Sequence, residues 1–74
     1  MRALIDPRGE AFAYLRGNTL YTLEGEPTGR IEGKFVLDLG GKPIWRIAGD
    51  GVYTISGDRH IGYFGSEMPE EYDY

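Results

Sequence analysis

Apolar and polar residues alternate along this chain in short runs, and glycine ends each run before a helical face can form. Four such runs correspond: Leu4-Ile5-Asp6-Pro7, Leu20-Tyr21-Thr22-Leu23, Val36-Leu37-Asp38-Leu39 and Val52-Tyr53-Thr54-Ile55. Their β-branched and aromatic content is that of β-strands. The third position is always Asp or Thr, with an apolar residue before it and, in three copies, another after it. Alternate residues of a strand share a face. Phased on the polar position, the pattern turns Tyr21 with Leu23, Leu37 with Leu39, and Tyr53 with Ile55 inward. Asp6, Thr22, Asp38 and Thr54 are then outward. Four second limbs follow: Ala13-Tyr14-Leu15, Gly29-Arg30-Ile31, Trp45-Arg46-Ile47 and Gly62-Tyr63-Phe64. Here Leu15, Ile31, Ile47 and Phe64 form the inward set, and Tyr14, Arg30, Arg46 and Tyr63 face the other way. This alignment requires one extra residue in the fourth copy, within Asp58-Arg59-His60.

The limbs repeat every sixteen residues, and so do two sets of glycines: Gly9, Gly25, Gly41, Gly57 and Gly17, Gly33, Gly49, Gly65. The copies are 3–18, 19–34, 35–50 and 51–66, within a single domain over 1–66. Units this small cannot bury an apolar face alone and must pack on one another. The first glycine of each copy fits a type I turn followed by a left-handed residue, a three-residue loop with a bulge. Pro27 and Pro43 follow two residues later, at a strand entry that tolerates proline. No eleven-residue window between limbs lacks glycine, so helix is excluded. The reading is all-β: four consecutive hairpins and about eight short strands. They close either as an up-and-down barrel or as hairpins radiating from a pseudo-fourfold axis, both of which limit exposed edges.

The recurring string, apolar or aromatic, then Asp or Thr, two residues, then Gly, with a returning limb of Gly-Arg-Ile type, resembles the bacterial four-fold beta flower family. The resemblance spans nearly all of residues 3–66. It departs at Pro7, which replaces an apolar residue, and at the extra residue of copy four. It implies a compact fourfold all-β domain, and it brings no activity and no catalytic residues.

Composition narrows the function classes. The chain has 74 residues and no cysteine, which excludes disulfides and thiolate metal sites. Folding buries only about 60% of the surface of so short a chain, so large aromatics are useful in its core. The net charge of −4 argues against binding a nucleic-acid backbone. No stretch approaches the ~20 apolar residues of a membrane helix. The N-terminal run, broken by Asp6 and Pro7, does not read as a signal peptide. A cytoplasmic protein is the expectation.

Candidate chemistry is sparse. His60 is the one histidine. Asp58, two residues away, is poorly spaced to orient it, and Ser56 and Ser66 sit beside turn glycines, so His60 reads as a solvated loop residue and the chain as noncatalytic. Asp50, Asp58, His60, Glu67, Glu70 and Glu71 lack the spacing of a metal motif, and neither metal nor cofactor is expected. The equivalent positions Tyr14, Arg30, Arg46 and Tyr63 form the best candidate site. Facing a common axis, two guanidiniums and two phenols would surround a space suited to a small anion or an acidic protein segment. Facing solvent, their stems would shield the barrel. Asp6 and Asp38 are possible partners for the arginines. The acidic tail 67–74 breaks the repeat; its tyrosines would dock on this or a neighbouring molecule if they are not simply mobile. The expected function is a noncatalytic binding or interaction module. The alternative is a structural, homo-oligomerising protein with no ligand.

Overall fold

The computed structural model describes residues 1–68. Eight strands follow one another: β1 (Arg2–Ile5), β2 (Ala11–Arg16), β3 (Thr19–Tyr21), β4 (Pro27–Glu32), β5 (Phe35–Asp38), β6 (Pro43–Ala48), β7 (Gly51–Thr54) and β8 (His60–Phe64). Each pairs antiparallel with the next, and β8 returns to β1, so the sheet is a closed up-and-down barrel. Closure removes both sheet edges, which a small all-β chain would otherwise leave open to foreign strands.

Each copy is a hairpin with a long loop. In the first, the Gly9 amide donates to the Asp6 carbonyl at 2.9 Å and the Asp6 amide donates to the Glu10 carbonyl at 2.8 Å, enclosing a three-residue loop. The same bonds recur at Thr22–Glu26 and Asp38–Lys42. In copy four the outer bond runs from the Thr54 amide to the Arg59 carbonyl, so the extra residue lies in that loop. The loop glycine is left-handed, as at Gly25 with φ +90°, a region that costs a side-chain-bearing residue energy.

Copies are joined by two-residue turns at the opposite end, Gly17-Asn18, Gly33-Lys34 and Gly49-Asp50. Glycine leads each turn, as the twist of a tight hairpin demands, and Gly33 has φ +60°. Gly65 has no such φ. At that point the chain meets β1 instead of turning, and its amide donates to the Ala3 carbonyl at 2.8 Å.

The phase of the first limbs differs from the sequence expectation. Leu4, Leu20, Val36 and Val52 point inward, each at most 2% exposed. Tyr21, Leu37 and Tyr53 therefore take the outer face. Leu23, Leu39 and Ile55, expected inside, lie in the long loops at 53%, 67% and 43% exposure. The polar third position misleads because it ends the strand and begins the turn. Asp6 Oδ1 accepts the amides of Arg8 and Glu10 at 2.9 and 3.0 Å, and Asp38 Oδ1 accepts those of Gly40 and Lys42, both at 2.9 Å. Thr22 and Thr54 accept the amides of Glu26 and Arg59. Polarity there reports turn chemistry and not a strand face.

The second limbs follow the expected phase. Leu15 opposes Leu20, Ile31 opposes Val36, Ile47 opposes Val52, and Phe64 opposes Leu4. These four cross-strand pairs, with Ala13 and Trp45, build the interior. Gly62 pairs with Val52 as Gly29 pairs with Leu20, which places the extra residue of copy four before them. One residue per copy has no partner, Phe12, Thr28, Ile44 or Ile61, where the register slips between the two limbs. Such bulges bend a strand and increase its twist, which helps eight short strands close.

Candidate functional site

The four candidate residues occupy equivalent places on the outer wall, each alternating with interior neighbours on its strand. Each lies opposite the first limb of the next copy: Tyr14 with Tyr21, Arg30 with Leu37, Arg46 with Tyr53, and Tyr63 with Ile5. They form a belt around the barrel and do not converge on its axis, so no single small anion touches all four. The belt also has a packing role. Leu37 faces outward yet is only 6% exposed, with the Arg30 stem opposite it. Arg30 Nε lies 3.2 Å from Glu32 Oε2. Asp6 and Asp38 hold their own loops; Asp6 comes within 3.9 Å of Arg8, and neither pairs with Arg30 or Arg46.

One part of the belt opens into a groove. Lys34, Phe35, Arg46, Ile47, Ala48 and Gly49 line a surface depression of about 680 Å³ at the tight-turn end. Phe35 sits opposite Arg46 across β5 and β6 and is 40% exposed. The neighbouring carboxylates are occupied elsewhere: Glu32 by Arg30, and Asp50 by Arg2 at 3.0 Å. Among the described residues, Lys34 and Arg46 form no ion pair. The Arg46 stem borders the groove, and its guanidinium reaches the β7–β8 loop, where a methyl group added at Gly57 would lie 3.1 Å from Nη2. The sequence offered Arg46, but not Lys34 or Phe35, whose proximity to it depends on the β5–β6 register.

His60 is not a loop residue. It opens β8 opposite Tyr53, and the two rings lie 5.0 Å apart at 31°. Asp58 is occupied by hydroxyls, accepting from Ser56 at 2.8 Å and from Thr54 at 2.9 Å. Those donors, Ser56 foremost, hold its carboxyl below the usual range. His60 and Ser56 share no hydrogen bond, so no nucleophile is paired with a base there. Among the described residues, no group of three or more His, Asp or Glu side chains is placed to hold a metal ion.

The end of the barrel carrying the long loops holds a second cavity, of about 190 Å³, lined chiefly by Phe12, Ala13, Leu20, Gly29, Val36 and Trp45. The Phe12 and Trp45 rings meet edge to face at 6.3 Å. Glu67 lies at the seam, 2.6 Å from the Met1 amine. Glu70, Glu71, Tyr72 and Tyr74 lie outside the described residues, and so does any docking of the tail tyrosines.

The molecule is thus an eight-stranded all-β barrel of four bulged hairpins, with a cationic groove on its wall and an apolar cavity at one mouth. Neither the family models, the curated proteins nor the solved structures compared with this chain match it.

Proposed function

We propose that this protein is a small noncatalytic binding module that takes an acidic peptide segment along the groove between Lys34 and Arg46. The observation that carries the reading is an exposed phenylalanine in a groove lined by Lys34 and the Arg46 stem, two cations that have no carboxylate partner among the described residues, in a chain whose net charge is −4. Such a groove offers an apolar contact with positive charge beside it, a common combination in recognition surfaces. An open depression of this size suits an extended segment better than a small anion, which needs convergent donors. Kinship with the four-fold beta flower domains is part of the same proposal, supported by the repeated string and by the four-hairpin barrel.

Calorimetry tests the reading with a Glu-rich peptide and with inorganic phosphate, on the native chain and on Lys34→Ala/Arg46→Ala. The native chain binds the peptide with an affinity that falls as salt rises; the double variant loses about tenfold or more. Equal heats near zero for both proteins defeat the proposal. A second reading, self-association without a ligand, draws support from exposed Leu23, Leu39 and Ile55 at equivalent places in three loops. Light scattering separates it: a monomer at all concentrations removes that reading.

A further inference from the structure

We propose that the long-loop mouth of the barrel binds a small, neutral, single-ring molecule of about the size of a cresol. The cavity follows from one irregular copy. At the bulge and the residue after it, copies one, three and four carry Phe12-Ala13, Ile44-Trp45 and Ile61-Gly62, whereas copy two carries Thr28-Gly29. Phe12, Ile44 and Ile61 all pack on the core, while Thr28 is exposed. Phe12 compensates for Gly62, since a methyl group added at Gly62 would lie 3.3 Å from its ring. No apolar side chain compensates for Gly29. There an added methyl group would approach the Leu37 carbonyl oxygen to 2.5 Å, so the backbone itself excludes a filling side chain.

The remaining space, about 190 Å³, exceeds the roughly 150 Å³ that accommodates a benzene ring in an apolar protein cavity. Its walls carry no charged residue: Leu20, Val36 and Ile44 supply aliphatic surface, and Phe12 and Trp45 supply aromatic surface. That disfavours an ionised ligand, because a charge seated against these walls would have no partner. Thr22 and Thr28 provide hydroxyls at the lining. The Thr22 oxygen accepts the Glu26 amide at 3.2 Å, which leaves its proton available, and the Thr28 hydroxyl has no hydrogen-bond partner among the described residues. A ring with one hydroxyl matches this division. The site is remote in kind from the cationic groove and does not depend on it.

The test is an NMR titration of the full chain with p-cresol, with benzoate as the charged comparator. Trp45 is the only tryptophan, so its indole N–H reports the cavity directly. Expected are saturable shifts of that signal and of the Leu20 and Gly29 amides, with intermolecular contacts from the cresol methyl to Ile44 and Trp45. Benzoate binds about tenfold or more weakly. Thr28→Ile and, independently, Ala13→Val fill the space and weaken cresol by a similar factor, while Lys34→Ala/Arg46→Ala leaves it unchanged. Linear, unsaturating shifts in the native chain overturn the proposal, as do contacts confined to the outer wall. Undiminished binding in both folded fill-in variants overturns it too.

Discussion

Asp6, Thr22, Asp38 and Thr54 perform one task four times: a side-chain oxygen accepts amides from the loop that follows it. The Glu10 amide is the largest influence on Asp6 and lowers its carboxyl below the ordinary range. Asp58 is lowered in turn by the Ser56 and Thr54 hydroxyls. Both carboxylates are favoured in the folded chain relative to the unfolded one. Their contribution is therefore complete above the unfolded value of about 3.9 and is lost as pH falls through the folded value. Thermal unfolding followed by circular dichroism should show a midpoint that is flat near neutrality and falls in the acid range. In Asp6→Asn/Asp58→Asn the fall should be shallower; an unchanged acid profile contradicts this account. These residues also explain a misreading. They look like the polar half of a strand alternation, yet they end the strand, so a face assigned from them is off by one residue. The second limbs have no turn-forming residue at the phasing position, and there Leu15, Ile31, Ile47 and Phe64 were legible.

Each hairpin is shaped by glycines that serve two different needs. Gly33 supplies the left-handed conformation of a two-residue turn, with open space where a side chain would go. Gly29 has no unusual φ but lies against the Leu37 carbonyl. Replacing each by alanine separates the two. Gly33→Ala should cost about 1–2 kcal/mol from backbone conformation. Gly29→Ala should cost roughly 1–3 kcal/mol from the forced shift of β5. Urea denaturation measures both, and a neutral Gly29→Ala means that the close approach is not real. The sixteen-residue period, the hairpins, the three-residue loops and the shift in copy four could all be read from glycine and proline spacing. The bulges at Phe12, Thr28, Ile44 and Ile61 could not, because an unpaired residue shows only once the register is known. The same limit hid Lys34 and Phe35 and the mouth cavity: each depends on which residues face one another across strands.

At the scale of the molecule, closure distinguishes this barrel from an open meander, and it rests on a short seam. Leu4 pairs with Phe64 and Ile5 with Tyr63. Arg2 reinforces the join: its Nε donates to the Gly65 carbonyl at 2.6 Å, its Nη2 meets Asp50, and its guanidinium carbon lies 5.5 Å from the centre of the Phe64 ring. Met68 and Met1 extend the pairing, with the Met68 amide donating to the Met1 carbonyl at 2.7 Å. Neither proposed site includes a residue of this join, which closes the barrel on which both are built. The mouth cavity exists only if interior faces meet, and the outer belt is a belt only if copy four reaches copy one. The direct measurement is a two-dimensional nuclear Overhauser spectrum of the full chain. It should show β1–β8 backbone contacts at Leu4–Phe64 and Ile5–Tyr63, together with side-chain contacts from Leu4 to Ala13 and Phe64. A folded chain without contacts between residues 2–5 and 60–64, or with Tyr21 and Tyr53 in place of Leu20 and Val52 at its centre, contradicts the closed four-hairpin barrel.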